Sequence, residues 1–305
     1  MPLTGTGAIA AAPTANGVRG VGAFNVIQLE HAQAIVAGAE AAGAPVILQI
    51  SENAVRYHGA LAPIAAATLT VARAAKVPVA VHLDHATSVE LVHEAVELGL
   101  TSVMFDASAL AYEDNVRATA EVVEHCHAAG VWVEAELGQV GGKDGVHAPG
   151  VRTDPAEAAA FVAATGVDAL AVAVGTSHAM LTRDAALDFE LIARLHEAVP
   201  VPLVLHGSSG VADRDLTAAV DAGMTKVNIA THLNQVFTTT VRQALADNAR
   251  LVDTRRYLGP ARTAVAAEVA RLLGVLKAAP PLPAPATYHG SGFRGATKQG
   301  AVQAP

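Results

Sequence analysis

The stretch whose reading decides the fold runs from residue 79 to residue 105, VAVHLDHATSVELVHEAVELGLTSVMF. Its opening, Val79–Leu83, is rich in β-branched residues and reads as a buried strand. Glu90, Leu91, His93, Glu94, Ala95, Val96 and Leu98 then carry apolar residues at helical spacing, and Gly99 supplies the left-handed residue that ends a helix. Ser102–Phe105 starts a second β-branched run. The stretch is therefore one strand–helix–strand unit, and its first strand ends His82-Leu83-Asp84-His85, with three polar residues around Leu83.

Working outward, the same unit recurs. Strands are predicted at Gly22–Val26, Val46–Ile50, Val79–Leu83, Ser102–Phe105, Val131–Glu136, Ala169–Val174, Pro202–His206 and Thr225–Ile229, separated by Ala-rich helical stretches. Pro45, Pro78 and Pro202 fall at or just before strands, where a missing N–H does little harm. Gly43, Gly99, Gly130, Gly166 and Gly223 fall between a helix and the next strand, the place for a left-handed cap. Eight such units with short joints predict an α/β protein, a closed (β/α)8 TIM barrel. An open doubly wound sheet would show fewer strands and a Gly-rich first turn, and no GxGxxG is present. Pro260–Leu276 reads as an extra C-terminal helix. Residues 1–280 are expected to form a single barrel domain, and 281–305, rich in Pro, Ala and Gly, a mobile tail. Pro13 and Asn16-Gly17 make any leader helix in the first 20 residues weak.

The chain has 305 residues, 52% hydrophobic and 16% charged, enough to bury one large core. A net charge of −8 without a basic run argues against a nucleic-acid partner. Cys126 is the single cysteine, which rules out an intrachain disulfide and suits a cytoplasmic location. No signal peptide and no membrane span are expected, because the apolar runs are short and interrupted. Thirteen histidines in a chain this poor in charge point to metal or acid–base chemistry.

Barrels of this kind carry their chemistry at the C-terminal ends of the strands. The third strand ends in Asp84-His85, the sixth runs into Gly175-Thr176-Ser177-His178, and the seventh ends in Leu205-His206. Singly, each histidine reads as a core or rim residue. As a set, His85, His178 and His206 read as ligands of a zinc-like ion with a fourth position open. His82 reads as a residue that orients a ligand. His31, His93, His125, His127 and His196 lie in helical stretches and read as solvated or packed. Asp84 can move a proton at the reacting oxygen. Glu136 and Asp106, at the ends of the fifth and fourth strands, either bind metal, hold a ligand histidine, or are buried hydrogen-bonded carboxylates. The Gly-rich segment Gly138–Gly145 reads as a lid with Asp144 near its tip, or as a plain surface loop. Gly207-Ser208-Ser209-Gly210 and Asn228-Ile229-Ala230-Thr231, after strands seven and eight, can present N–H groups and hydroxyls to a phosphate.

With these residues in hand the chain resembles the class II, zinc-dependent ketose-bisphosphate aldolases. The matching stretches are Gly22–Val26, His82–His85, Glu134-Ala135-Glu136-Leu137-Gly138 with Gly141-Gly142, Gly175–His178, Leu205–Gly210 and Lys226–Thr231, in the family's order across roughly residues 20 to 276. The resemblance implies reversible aldol cleavage of a phosphorylated ketose, such as fructose or tagatose 1,6-bisphosphate, through an enediolate of dihydroxyacetone phosphate. It implies His85, His178 and His206 as zinc ligands and Glu136 as a carboxylate beside the metal. Asp84 matches the proton carrier at the bond that breaks, and Asp144 the lid carboxylate at the enediolate carbon. Asn228 matches the residue that steadies the enediolate, Gly207, Ser209, Ala230 and Thr231 match phosphate positions, and Asn25 and Ser51 match positions facing substrate. A monovalent cation, Na+ or K+, near the phosphate and a homo-oligomer, dimer or tetramer, are also implied. Four features depart from the pattern. Ala179 stands where many members have Gly. Ala230 stands where fructose-bisphosphate enzymes often carry Asp and is more like the tagatose-type branch. Asp144 is a methylene shorter than the usual Glu, and the leader helix is poorly supported.

Two other functions compete: a non-catalytic barrel serving an aldolase as partner, and a zinc-dependent sugar-phosphate epimerase or isomerase. The full Asp84, His85, His178 and His206 set argues against the first. Arg255 and Arg256 are candidates for a distal phosphate, although a solvated basic pair is the simpler reading.

Overall fold

The structure is a computed structural model that describes residues 2–11, 19–137, 152–176 and 181–278. In chain order the elements are α1 (Thr6–Ala10), β1 (Val21–Asn25), α2 (Leu29–Ala42), β2 (Val46–Ser51), α3 (Glu52–His58), α4 (Ala62–Ala74), β3 (Val79–Ala86), α5 (Val89–Glu97), β4 (Ser102–Phe105), α6 (Tyr112–Ala128), β5 (Trp132–Glu136), α7 (Pro155–Thr165), β6 (Ala169–Ala171), α8 (Phe189–Ala198), β7 (Leu203–Leu205), α9 (Asp213–Ala222), β8 (Met224–Ile229), α10 (Thr231–Asp247) and α11 (Arg255–Val275). The strands are parallel in the order β1 to β8, and β8 pairs back onto β1, Val21 opposite Lys226 and Ala23 opposite Asn228. The (β/α)8 barrel expected from the alternation is the fold observed. All five interelement glycines, 43, 99, 130, 166 and 223, adopt positive φ.

Strand alternation divides side chains between two layers. Phe24, Leu48, Ile50, Val81, Leu83, Val103, Val133, Leu170, Leu205 and Val227 point outward into one continuous apolar layer beneath the helices. The opposite parity points into the barrel. Val21, Ala23, Ile47 and Ala80 meet Ile9 there, and Met104, Ala169, Ala171 and Val204 form a second small cluster. The expected weakness of the leader is met by tertiary contact. Helix α1 is only five residues long, but Leu3 bridges to Val79, Thr6 Oγ1 lies 2.5 Å from Ser102 Oγ, and Ile9 is buried in the barrel's lower interior.

Helix α11 starts at Arg255, five residues before the Pro260 start read from sequence, with Leu258 packed against the core. It lies close against α2 because Gly38 has no side chain: a Cβ there would come within 2.4 Å of the Ala266 carbonyl oxygen. Sequence-local caps set several helix starts. Ser51, Ser88, Asp154 and Asp188 accept backbone N–H groups at α3, α5, α7 and α8. The tail 281–305 and the lid 138–145 lie outside the described residues. Among the described residues no helix is long and apolar enough to cross a membrane.

Candidate active site at the barrel mouth

The end of β3 breaks the strand rule. Pairing with β4 is regular at Leu83–Val103 and resumes at Ala86–Phe105 with a shifted register, and His85 adopts φ +53°. A regular strand would send Asp84 and His85 to opposite faces. The bulge re-aims them so that both line the same cavity at the mouth. A left-handed histidine costs about 1–3 kcal/mol and persists only where its surroundings hold it. Here Asp106 Oδ2 lies 3.0 Å from His85 Nδ1, and Asp106 is fixed in turn by the backbone N–H and hydroxyl of Ser108. This contact suits Asp106 to hold His85 in place, one of the roles left open for it.

Potential metal donors converge there. One donor atom each from Asp84, His85 and His206 lie within 4.8 Å of one another, and a second group sharing His85 adds Asp106 and Glu136. The His85 and His206 rings are 4.7 Å apart. His206 is fully buried, with Nε2 3.0 Å from Glu134 Oε1 and Nδ1 3.5 Å from Glu136 Oε2. Imidazoles mixed with carboxylates, in reach of a single point, fit a divalent ion of the zinc type. The structure thus brings together His85, His206 and Glu136. His178, Ala179 and Asp144 lie outside the described residues.

The electrostatics favour charge at this mouth. Burial opposes ionisation of Asp84, but His85, Lys226, His206 and His82 around it hold its carboxyl below the usual range. Burial works to lower His206 as well, and the hydrogen bonds and charge of Glu134 and Glu136 overcome it, pushing the ring up to about 9. His82, fully buried and facing the Lys226 ammonium, is pushed down to about 3 and stays neutral. It does not reach the mouth: Nδ1 meets Ser102 Oγ at 2.8 Å, and Nε2 is 3.8 Å from Glu134 Oε2.

The expected substrate-side residues Asn25, Ser51, Gly207, Ser209, Asn228, Ala230 and Thr231 all line the cavity that holds Asp84 and His85. Ser209 Oγ accepts the N–H groups of Ala230 and His232 at 3.2 Å, which ties the loop after β7 to the start of α10 and leaves the hydroxyl proton to donate. Ser51 caps α3, Asn25 accepts from Gln49 at 2.7 Å, and Asn228 Nδ2 is 3.5 Å from Asp84 Oδ1.

Sequence reasoning missed four residues. Gln49 and Asn53 complete the cavity wall, and Glu134 and Lys226 form a fully buried ion pair at 2.8 Å beneath it. Parity carried the signal: Glu134 lies two residues before Glu136, and Lys226 two before Asn228, so each shares the inward face of its strand. Four of the helical histidines are packed or paired away from the mouth. His31 packs on Phe237, His93 stacks with His125, and His127 pairs with Asp168. Exposed Arg255 pairs with Asp253 and is not part of the cavity wall.

The family profile described as "Fructose-bisphosphate aldolase class-II" matches residues 9–280. The chain belongs to that family. Among its relatives, fructose-bisphosphate aldolase of Geobacillus stearothermophilus is 42% identical over 253 residues, 82% of this chain and 88% of that one. The enzyme of the same name from Thermus caldophilus is 42% identical over 273 residues, 81% and 89% of the two chains. The crystal structure of the YdjI aldolase from Escherichia coli K12 superposes with a TM-score of 0.79 at 33% identity, covering 91% of this chain and 98% of that one. Fructose-bisphosphate aldolase from Campylobacter jejuni, at 22% identity and TM-score 0.73, covers 86% and 91% and shares the fold. Class II aldolases are generally dependent on a divalent metal, which agrees with the donor groups at this mouth.

Proposed function

We propose that the protein is a zinc-dependent aldolase. It reversibly cleaves a ketose bisphosphate of the fructose or tagatose kind to dihydroxyacetone phosphate and an aldehyde such as glyceraldehyde 3-phosphate. Membership of the family makes the chain a class II aldolase, a carbon–carbon lyase. The observation that carries the substrate-level reading is one cavity lined by Asp84, His85, Asn228 and both phosphate-type loops.

His85, His206 and His178 are the proposed zinc ligands, with Glu136 as an alternative carboxylate, and an ion there supplies an electron-withdrawing centre for the substrate carbonyl. The remaining chemistry belongs to side chains. Asp84, held ionised, accepts the proton of the hydroxyl on the carbon that becomes the aldehyde. The adjoining carbon–carbon bond breaks, and its electron pair passes to the ketone fragment as an enediolate. Asn228, directed at Asp84 by its 3.5 Å contact, donates to an enediolate oxygen. The Asp144 carboxyl delivers a proton to the enediolate carbon, Asp84 returns its proton to solvent, and Asp144 takes one up from solvent, which restores both groups. Gly207, Ser209, Ala230 and Thr231 hold the phosphate at the N-terminus of α10, where the helix dipole favours an anion. A Na+ or K+ ion beside the phosphate, a dimeric or tetrameric assembly, a single catalytic domain over residues 1–280 and a cytoplasmic location complete the proposal.

Ala230 lines the cavity at the position where fructose-bisphosphate enzymes often carry Asp, so the tagatose-type substrate stands beside the fructose type. A coupled assay of dihydroxyacetone phosphate release across a panel of ketose phosphates tests this. The expected result is release from at least one bisphosphate, abolished by chelator and restored by zinc. Absence of release from every substrate, or release indifferent to chelator, would overturn it, and isomer formation without aldehyde would favour the epimerase.

A further inference from the structure

Directly beneath the mouth lies a polar layer that the chemistry above does not use. Lys226 is 1% exposed and Glu134 and His82 are 0% exposed, as is the His206 ring they lie against. Burying an ammonium and a carboxylate is costly, and such pairs are often replaced by apolar residues without loss of stability. The geometry gives the pair another task. The two oxygens of Glu134 are divided: Oε2 is 2.8 Å from Lys226 Nζ, and Oε1 is 3.0 Å from His206 Nε2. An ionised carboxylate only accepts hydrogen bonds, so the nitrogen it meets carries a proton. Glu136 Oε2, 3.5 Å from Nδ1, favours a second proton there, and a cation at the mouth would displace that proton while Glu134 keeps the one on Nε2, leaving Nδ1 as the nitrogen with a lone pair to offer. Strand β7 spans only Leu203–Leu205, and His206 lies just past its end, where the ladder no longer orients the ring. Below, His82 Nδ1 bonds Ser102 Oγ, which meets Thr6 Oγ1, so the floor of the layer is tied to α1.

We propose that Glu134, locked in place by Lys226, is a positioning residue that fixes the tautomer of His206 and so selects Nδ1 as its metal-binding nitrogen. The proposal rests on the reading of His206 as a metal ligand. The test measures zinc affinity of purified protein by competition with a chromophoric chelator, alongside circular dichroism and Tm of the metal-free form. Glu134→Leu combined with Lys226→Met removes acceptor and charge together while keeping volume. It is expected to fold and to bind zinc about 10–100-fold more weakly, the usual effect of losing an outer partner of a ligand histidine. Glu134→Gln with Lys226→Met restores a carbonyl acceptor and is expected to recover most of that affinity. Zinc affinity equal to the parent's in the folded Leu/Met variant would overturn the proposal. So would 15N NMR of the zinc-loaded parent showing His206 ligated through Nε2, a readout that needs no variant to fold. His206→Ala separates the two levels: if it leaves zinc affinity unchanged, the ligand reading fails, whereas its loss of zinc beside an unaffected Leu/Met variant sinks only the positioning role.

Discussion

The lower and upper halves of the barrel interior are built by the same eight strands with the same inward parity, yet they are chemically opposite. Below, Val21, Ala23, Ile47 and Ala80 are small or apolar, and Ile9 closes the end. Above, the inward positions are His82, Asp84, Glu134, Glu136, His206, Lys226 and Asn228, all buried. The contrast teaches that cohesion here comes from the lower interior and the outward apolar layer, while the upper interior holds charges whose use is chemical.

The largest expected effect comes from the upper half. Asp84→Asn should reduce kcat by about 10²–10⁴-fold while zinc content by elemental analysis stays unchanged. A cavity in the lower half should do the converse. Ile47→Ala should cost about 2–5 kcal/mol in denaturant unfolding and leave kcat unchanged where the protein is folded. Asp106→Ala sharpens the comparison from within the mouth: losing the partner of His85 Nδ1 should weaken zinc binding about 10–100-fold by chelator competition, with a small change in Tm.

The smallest effect lies outside both halves. Arg271 pairs with Asp213 and Glu268 on the surface, and Arg271→Ala should cost about 0.2–1 kcal/mol. Burial acts to raise both carboxyls, but Arg271, with Arg183 at Asp213 and His232 at Glu268, holds them below their ordinary values. A depressed folded-state pKa stabilises the fold above the unfolded value, and that contribution disappears as pH falls through the folded one. Unfolding curves across the acidic carboxylate range should therefore be flatter for Arg271→Ala than for the parent.

The barrel was legible because its two signals, β-branched runs and glycine caps, are local. The mouth was legible in part because strand ends are where such barrels carry polar groups, so Asp84, His85, Glu136, His206 and the loops at 207–210 and 228–231 could be named. What escaped depends on tertiary context. The bulge that turns Asp84 and His85 into one cavity leaves no composition signal, since it arises from a backbone histidine at positive φ held by Asp106. Lys226 and Glu134 are ordinary charged residues until closure of the barrel brings strands five and eight within an ion pair's reach. Helix α1, short and poor in helix signals, is held by Leu3, Thr6 and Ile9 rather than by propensity.

The most direct test of the account is metal stoichiometry and affinity of the purified protein beside three single variants, His85→Ala, His178→Ala and His206→Ala. The account predicts about one divalent ion per chain in the parent and at least a roughly hundredfold loss of affinity in each variant. A parent that binds no ion, or folded variants that each keep one ion with undiminished affinity, would contradict it.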